Sequence, residues 1–242
     1  MNNDRFNKWF NAFILVGMTV AMILTTALSL KTADSGKAML IIAAFGSLMG
    51  VLCNVCSANG NIWTFLFGLF DVSIYAVMCF IDGKYGNAAL NGLYFLPMQF
   101  VGFFQWRKRG AGAGTELKAR RFTPKQWLLY GAIFLAGSIV VYLILNIFDK
   151  SAAQSFIKVA VLTDAISTVC NLIGQLLLSM AYMEQWYFWI GVNVFTIIMW
   201  VVSLDKGEGA NYAVIYIIKY SFFLLNSLNG LRIWLRLSRK DA

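Results

Sequence analysis

Long apolar stretches separated by short polar turns run along the whole chain. Each stretch is about as long as a helix needs to be to cross roughly 30 Å of hydrocarbon at about 1.5 Å per residue. The alternating pattern of β-strands is missing, and the chain has only two prolines. The pattern predicts an all-α, polytopic membrane helical bundle with eight spans, near residues 9–30, 38–57, 61–81, 87–106, 127–148, 156–181, 186–204 and 211–235.

The amino-acid composition is typical of a membrane protein, and it argues against several classes of function. Hydrophobic residues make up 60% of the chain and charged residues only 13%, about half the charged share of a soluble domain. Histidine is absent, which removes the commonest metal ligand and general base. Cys53-x-x-Cys56 has no second cysteine pair, so we predict no metal site and no cofactor. Because histidine is missing and carboxylates are not clustered, we also predict no enzymatic activity.

Lysine and arginine are concentrated in one loop and in the C-terminal tail. The net charge of +9 therefore indicates membrane topology rather than nucleic-acid binding. Loop 107–125 contains seven basic residues and one acidic residue, Glu116. Because an even number of spans separates this loop from the tail, both are predicted to be cytoplasmic. The first apolar stretch is longer than a signal-peptide core, so we expect a retained helix.

Four short motifs recur in the same order in the two halves of the chain. The matched motifs are offset by 117, 123, 123 and 128 residues, which indicates two related three-helix units. Units of the same orientation need an odd number of spans between them, so we predict a linker helix. The matches are Val51-Leu-Cys-Asn54 with Thr168-Val-Cys-Asn171, Trp63 and Gly68 with Trp186 and Gly191, the turns Ile81–Gly86 and Leu204–Gly209, and Gly102-x-x-x-Trp106 with Gly230-x-x-x-Trp234.

The predicted layout is two parallel three-helix repeats joined by a linker helix (3+1+3), with an extra N-terminal helix. In transporters built from such repeats, the substrate site lies near the membrane midplane between them. The expected segments are the N-terminal helix outside the repeat at 1–37, the first repeat at 38–106, the basic cytoplasmic loop at 107–125, the linker helix at 126–150, and the second repeat with the basic tail at 151–242.

The best candidate for a binding surface is the stretch from Gln185 to Asn193. On an α-helix, Trp186, Trp189 and Asn193 lie along one stripe. Indole faces stack on flat rings and attract cations, and an amide donates and accepts hydrogen bonds without carrying charge. The alternative is that the tryptophans belong to an interfacial aromatic belt and that Asn193 makes a helix contact.

Neutral amides inside the predicted spans are the second part of the candidate site. A polar side chain in hydrocarbon is costly unless it faces the bundle interior, so these amides predict a shared polar cavity. The alternative is that some of them only bridge helices. The candidates are Asn54, Asn91, Gln99, Asn171, Gln175 and Asn226.

Charged residues and one proline also lie within the predicted spans. Asp71 and Asp164 are expected to form ion pairs with Lys219 or Lys158, although proton carriage and balancing a cationic substrate are alternatives. Pro97 is expected to kink its span next to Gln99, as a gate hinge or as a packing feature.

Several of these elements together resemble the PnuC family of vitamin B3 transporters. They are the 3+1+3 layout, Trp63-x4-Gly68, Tyr85-Gly86, Gly102-x-x-x-Trp106 before a basic loop, and Glu184-x-Trp186-x-x-Trp189-x-x-x-Asn193. The resemblance covers about residues 38–237 and leaves out the first helix.

The resemblance implies a SWEET-like fold, a homotrimer in the bacterial inner membrane, and facilitated diffusion of nicotinamide riboside by alternating access. It also implies a functional link to a cytoplasmic nicotinamide riboside kinase, which traps the substrate by phosphorylation. Other members of the family carry riboflavin, thiamine or deoxynucleosides, so these remain alternatives. A membrane receptor or scaffold that binds the ligand without transporting it is the alternative from another class.

Overall fold

The protein is built almost entirely of α-helices. The computed structural model describes residues 3–32, 37–81, 83, 85–148, 159–205 and 210–239. Within these residues there is no β-strand, only two isolated bridges. The helices are α1 (Asn3–Thr32), α2 (Lys37–Ala58), α3 (Trp63–Ile81), α4 (Tyr85–Ala89), a π-helix (Leu90–Phe95), α5 (Leu96–Lys108), α6 (Pro124–Phe148), α7 (Val159–Ser179), α8 (Gln185–Asp205) and α9 (Ala210–Leu237).

Each of the eight predicted spans coincides with a helical segment, and the prediction of an all-α membrane protein is confirmed. In the described part of the chain, six helices, α1 to α3 and α6 to α8, are long and apolar enough to cross a membrane. The fourth predicted span is divided into α4, the π-helix and α5. The last, α9, includes Lys219, Arg232 and Arg236, which lower its hydropathy. The expected start of the sixth span at 156–158, including Lys158, lies outside the described residues.

The described chain divides into two compact units. The first takes in the residues up to Lys118 together with Ser179–Ala181, and the second takes in the remainder. The basic loop is therefore split between the units, and the linker helix α6 belongs to the second.

In the first unit, α1 packs on α2 although it lies outside the predicted repeat. Ile14 and Met18 of α1 are buried, and Asn11 Nδ2 donates a 3.0 Å hydrogen bond to Asn59 Oδ1 just after α2. Hydrophobic burial and this bond fix α1 on the unit. The glycine-rich turn after α5 packs its Gly112, which has a φ of +78°, against Ile62.

In the second unit, the end of the basic loop is fixed to the turn between α7 and α8. The backbone N–H of Met183 donates to the Arg120 carbonyl at 3.0 Å, and the Arg120 guanidinium lies 4.6 Å from the centre of the Tyr182 ring. Gln126 Nε2 donates to Tyr182 Oη at 2.9 Å. These contacts hold the start of α6 next to the start of α8.

The two units repeat the same pair of close helix contacts. A Cβ atom added to Gly68 would lie 3.2 Å from Cys53 Sγ, and one added to Gly191 would lie 3.1 Å from Cys170 Sγ. Likewise Gly102 contacts the Phe65 ring, and Gly230 contacts the Trp186 ring. The rings at 65 and 186 each meet a fully buried tryptophan, Trp106 at 4.8 Å and Trp234 at 6.1 Å between ring centres. Matched glycines thus allow matched helix packing.

Pro97 follows a π-helical turn. It is the second residue of α5, directly after the π-helix Leu90–Phe95, and the Leu96 N–H donates to the Asn91 carbonyl five residues earlier. Proline has no N–H, and its ring clashes with the carbonyl four residues earlier in a regular α-helix. A wider π turn relieves this conflict, and such turns are frequent at functional sites. The irregularity expected at Pro97 is therefore present as a π turn on its N-terminal side.

Candidate functional site

Trp186 lies in the interior of the second unit. Its side chain is only 3% exposed, and its ring lies against Gly230 of α9, where an added Cβ would be 2.5 Å away. Trp234 meets it edge to face. Among the described residues its indole Nε1 has no hydrogen-bond partner. Trp186 therefore does not belong to a lipid-facing aromatic belt, and its unused donor lies inside the protein.

Trp189 lies one turn further along α8 and packs on a second glycine. A Cβ added to Gly174 of α7 would lie 3.1 Å from its indole ring. Its Nε1 donates a long, 3.4 Å hydrogen bond to Gln185 Oε1. The Trp189 side chain is half-buried, so part of the indole remains accessible. Each indole of the stripe thus rests on a neighbouring helix at a position without a side chain.

Asn193 connects α8 to α9. It is buried, and its Nδ2 donates a 3.0 Å hydrogen bond to Ser227 Oγ. At least one N–H of the Asn193 amide therefore bridges two helices, as the alternative interpretation of these amides expects. Ser227 had no role in the sequence analysis, and its place between Asn226 and Asn229 was the only signal that it faces the interior.

The other amides of the second unit are on α7 and α9. Gln175 and Asn226 are buried, and Asn171 is half-buried. Asn226 precedes the Ser227 that binds Asn193, which places it at the same level of α9. The amides of this unit are therefore turned inward, as the sequence predicts for polar residues in a span.

The amides of the first unit share one bonding pattern. The side-chain nitrogens of Asn54, Asn91 and Gln99 each donate to a backbone carbonyl four residues earlier, at 2.9, 2.9 and 3.1 Å. Each nitrogen is thus bonded to the backbone of the preceding helical turn. The Gln99 oxygen lies against Gly68 of α3, where an added Cβ would be 2.5 Å away. Gln99 and Asn91 are both buried.

Glu184 fixes the beginning of α8. It is 1% exposed, its Oε1 accepts a 3.0 Å hydrogen bond from the Phe122 N–H, and it lies 3.8 Å from Arg121 Nε. A buried carboxylate is stable only when paired and hydrogen-bonded. Glu184 therefore ties the end of the basic loop to the helix that carries the indoles. It appeared in the sequence analysis only as part of a motif.

The acidic residues differ between the units. In the first, the Asp71 carboxylate lies against Gly50 of α2, where an added Cβ would be 2.9 Å away. In the second, Asp164 is exposed. The expected pairing of Asp164 with Lys219 or Lys158 stays a prediction, and Lys158 lies outside the described residues. The Lys219 ammonium lies 5.5 Å from the centre of the Phe223 ring.

The described residues offer no site for a metal ion. No three histidine, cysteine or acidic side chains converge within them, and all four cysteines are free. Cys53 and Thr64 make a side-chain contact of 3.4 Å instead. The groups that the candidate site presents are indole faces and neutral amides.

Comparisons with known proteins agree with this chemistry. Residues 40–236 match the family model described as nicotinamide mononucleotide transporter. A nicotinamide riboside transporter PnuC from Neisseria mucosa is 33% identical over 205 residues, covering 83% of this chain and 74% of the relative. The Haemophilus influenzae PnuC is 26% identical over 239 residues, which cover 98% of this chain and 96% of the relative.

A solved structure, the crystal structure of the vitamin B3 transporter PnuC, has the same fold. It superposes with a TM-score of 0.65 at 32% identity, covering 95% of this chain and 93% of the other. These are names of transporters, in agreement with the prediction that the chain is not an enzyme. The chain is therefore a multi-pass membrane protein that belongs to the nicotinamide mononucleotide transporter family, in which its relatives are PnuC proteins.

Proposed function

We propose that the protein carries nicotinamide riboside across the bacterial inner membrane by facilitated diffusion. The relatives from Neisseria and Haemophilus are both named for transport of this compound. The observation that carries the proposal is the stripe of Trp186, Trp189 and Asn193 on α8. Its two indoles rest on glycines, and its uncharged amide is held by Ser227.

The chemistry of nicotinamide riboside matches that of the stripe. Its pyridinium ring is flat and positively charged, which suits stacking on the Trp189 indole and an interaction with its π face. Its carboxamide and ribose hydroxyls need hydrogen-bond donors and acceptors without charge, which amides supply. The amides proposed to take part are Asn54, Asn91, Gln99, Asn171, Gln175, Asn193 and Asn226.

The riboside is the preferred substrate over its phosphorylated form. The family description names the mononucleotide, whereas the curated relatives are named for the riboside. A phosphate in a low-dielectric site is bound best by arginine or lysine. Helices α7 and α8 contain neither. We therefore expect the mononucleotide to be rejected.

Transport takes place by alternating access between two related three-helix repeats in a 3+1+3 layout. The matched contacts of Gly68 and Gly191, and of Gly102 and Gly230, support the duplication. The basic loop and the C-terminal tail face the cytoplasm. A homotrimer, and trapping of the riboside by a cytoplasmic kinase, complete the proposal.

Binding measurements on stripe variants test the site. Trp189→Ala removes the accessible indole, and Asn193→Ala removes the amide, so each is expected to weaken riboside binding about tenfold. The measurement is calorimetric titration of purified protein in detergent. Trp9→Ala is the matched control, because Trp9 is 74% exposed on α1 and lies outside the stripe.

The same titrations include the mononucleotide, thiamine and riboflavin. Tight binding of thiamine or riboflavin in place of the riboside would show that the substrate is wrong. Unchanged riboside affinity in both the Trp189 and Asn193 variants would remove the stripe from the binding site.

A further inference from the structure

Gln185 is a fully buried amide at the beginning of α8. Its side chain is 0% exposed, although glutamine is mostly found at protein surfaces. The neighbouring Glu184 carboxylate accepts a 3.0 Å hydrogen bond from the Phe122 N–H, which fixes the beginning of the helix. Burying an amide is costly unless its polar atoms are hydrogen-bonded. The bonds that Gln185 makes therefore indicate why an amide is at this position.

The side-chain oxygen of Gln185 is bonded to the indole of Trp189. The two residues are four apart on α8, so they lie on one face of the helix, and Trp189 Nε1 donates to Gln185 Oε1 at 3.4 Å. An indole nitrogen can only donate, so the amide atom that faces it has to be the oxygen. This bond therefore sets the direction of the Gln185 amide.

The side-chain nitrogen of Gln185 has no such bond. Nε2 is buried, and within the described residues it has no hydrogen-bond partner. An apolar side chain of similar length would avoid the cost of burying this donor. The amide is therefore not explained by stability, and the bond from its oxygen to Trp189 is the contribution that remains.

Two contacts together determine the orientation of the Trp189 ring. A Cβ added to Gly174 of α7 would meet the ring atoms Cε2, Cδ2 and Cζ2 at 3.1 to 3.3 Å. The second side-chain torsion of a tryptophan is broad, and rotation about it would move Nε1 away from Gln185. The hydrogen bond opposes this rotation. Because the Trp189 side chain is half-buried, the orientation of the ring determines which part of it a ligand can reach.

We propose that Gln185 is a positioning residue, which holds the Trp189 indole in the orientation that receives a flat ring. The other indole of the stripe is confined by packing instead, since Trp186 is 3% exposed and contacts Gly230 and Trp234. The consequence for binding rests on the proposed function, in which Trp189 stacks on the pyridinium of nicotinamide riboside. The hydrogen bond itself rests on the geometry of α8 alone.

A double-mutant cycle tests the effect on binding. Gln185→Met introduces a side chain of similar length without a hydrogen-bonding amide, and it is expected to weaken riboside binding about fivefold. Phenylalanine has no indole N–H, so in the Trp189→Phe background the same substitution is expected to change the affinity by less than about twofold. Calorimetric titration in detergent gives the four affinities. An equal loss in both backgrounds would overturn the proposal, because Gln185 would then act independently of Trp189.

The matched control removes an amide hydrogen bond outside the stripe. Gln126 Nε2 donates to Tyr182 Oη at 2.9 Å, and Gln126→Met is expected to lower the thermal unfolding midpoint and to leave riboside affinity unchanged. Gln185→Met is expected to do the opposite, because it removes a buried donor without a partner. Loss of affinity in Gln185→Met accompanied by a lower midpoint would indicate damage to the fold and would also overturn the proposal.

Nuclear magnetic resonance of the indole N–H groups separates this proposal from the proposed function. The Trp189 signal is identified by its loss in Trp189→Phe. In Gln185→Met this signal is expected to shift and its hydrogen to exchange faster with solvent, whereas in Gln126→Met it is expected to stay the same. If this result holds while the wild type binds no riboside, the positioning role stands and the proposed substrate fails. If the signal is the same in the wild type and in Gln185→Met, the positioning role fails whether or not the riboside is bound.

Discussion

Two glycines determine where the candidate indoles lie. Gly174 and Gly230 leave space on their helices that the rings of Trp189 and Trp186 occupy. At these positions any side chain would occupy the space of the indole ring. Glycine is therefore needed because it has no side chain, and not because the backbone has an unusual angle. The stripe on α8 therefore depends on residues that carry no binding group themselves.

Replacing Gly230 by alanine tests this dependence. The new Cβ would lie 2.5 Å from the Trp186 ring, which is buried and has no room to shift freely. We expect Gly230→Ala to lower stability by about 1–3 kcal/mol, as overpacking does in other cores. This corresponds to a thermal unfolding midpoint several degrees lower, measured in detergent.

The control for this substitution is Gly131→Ala on α6. Gly131 is exposed, and an added Cβ there would have no atom within 4 Å. The thermal unfolding midpoint of the Gly131→Ala protein is expected to stay the same or to rise slightly, because alanine favours the helix more than glycine does. A Gly230→Ala protein as stable as the wild type would mean that Trp186 is not confined by α9.

At the scale of the element, the fourth predicted span differs most from a regular helix. The π turn Leu90–Phe95 contains the amide Asn91 and precedes both Pro97 and the amide Gln99. A π turn holds one more residue than the α turn it replaces, so it rotates the preceding helix by about 100° relative to the following one. The relative orientation of Asn91 and Gln99 therefore depends on this turn.

Replacing Pro97 by alanine restores the missing backbone donor and allows a continuous α-helix. We expect Pro97→Ala to weaken riboside binding several-fold, because Asn91 turns away from the side on which Gln99 lies, while the protein stays folded. Titration calorimetry gives the affinity. Hydrogen exchange over residues 90–96 is expected to slow as regular helical bonds form.

The only other proline supplies the control. Pro124 is the first residue of α6, where a proline is tolerated because no helical partner is needed for its nitrogen. Pro124→Ala is expected to leave the affinity unchanged. Equal affinity in the Pro97 and Pro124 variants would mean that the π turn does not orient the site.

At the scale of the whole molecule, the sequence predicts the helices well because apolar length is a direct signal of a membrane span. Hydropathy gives the existence of each helix, but it does not give the division of the fourth span, because a π turn has no pattern of its own. Helical spacing places Trp186 and Trp189 on one stripe, but it does not identify the neighbour that each ring contacts. That depends on Gly230 and Gly174, which are distant in sequence.

For the polar residues too, helical spacing predicts burial but not the partner of each side chain. Spacing predicts correctly that Gln175 and Asn226 are buried. It does not reveal that Asn193 binds Ser227, or that Glu184 ties α8 to the basic loop, since both contacts join residues far apart in the chain.

Flux through the purified protein tests the central claim most directly. Proteoliposomes without ATP, kinase or any ion gradient are supplied with labelled nicotinamide riboside, and the internal concentration is followed to its final value. Facilitated diffusion predicts that the internal concentration rises to equal the external one, that an imposed pH gradient leaves this value unchanged, and that preloaded unlabelled riboside accelerates labelled entry. Saturable binding of riboside without entry, or accumulation above the external concentration when a pH gradient is imposed, would contradict it.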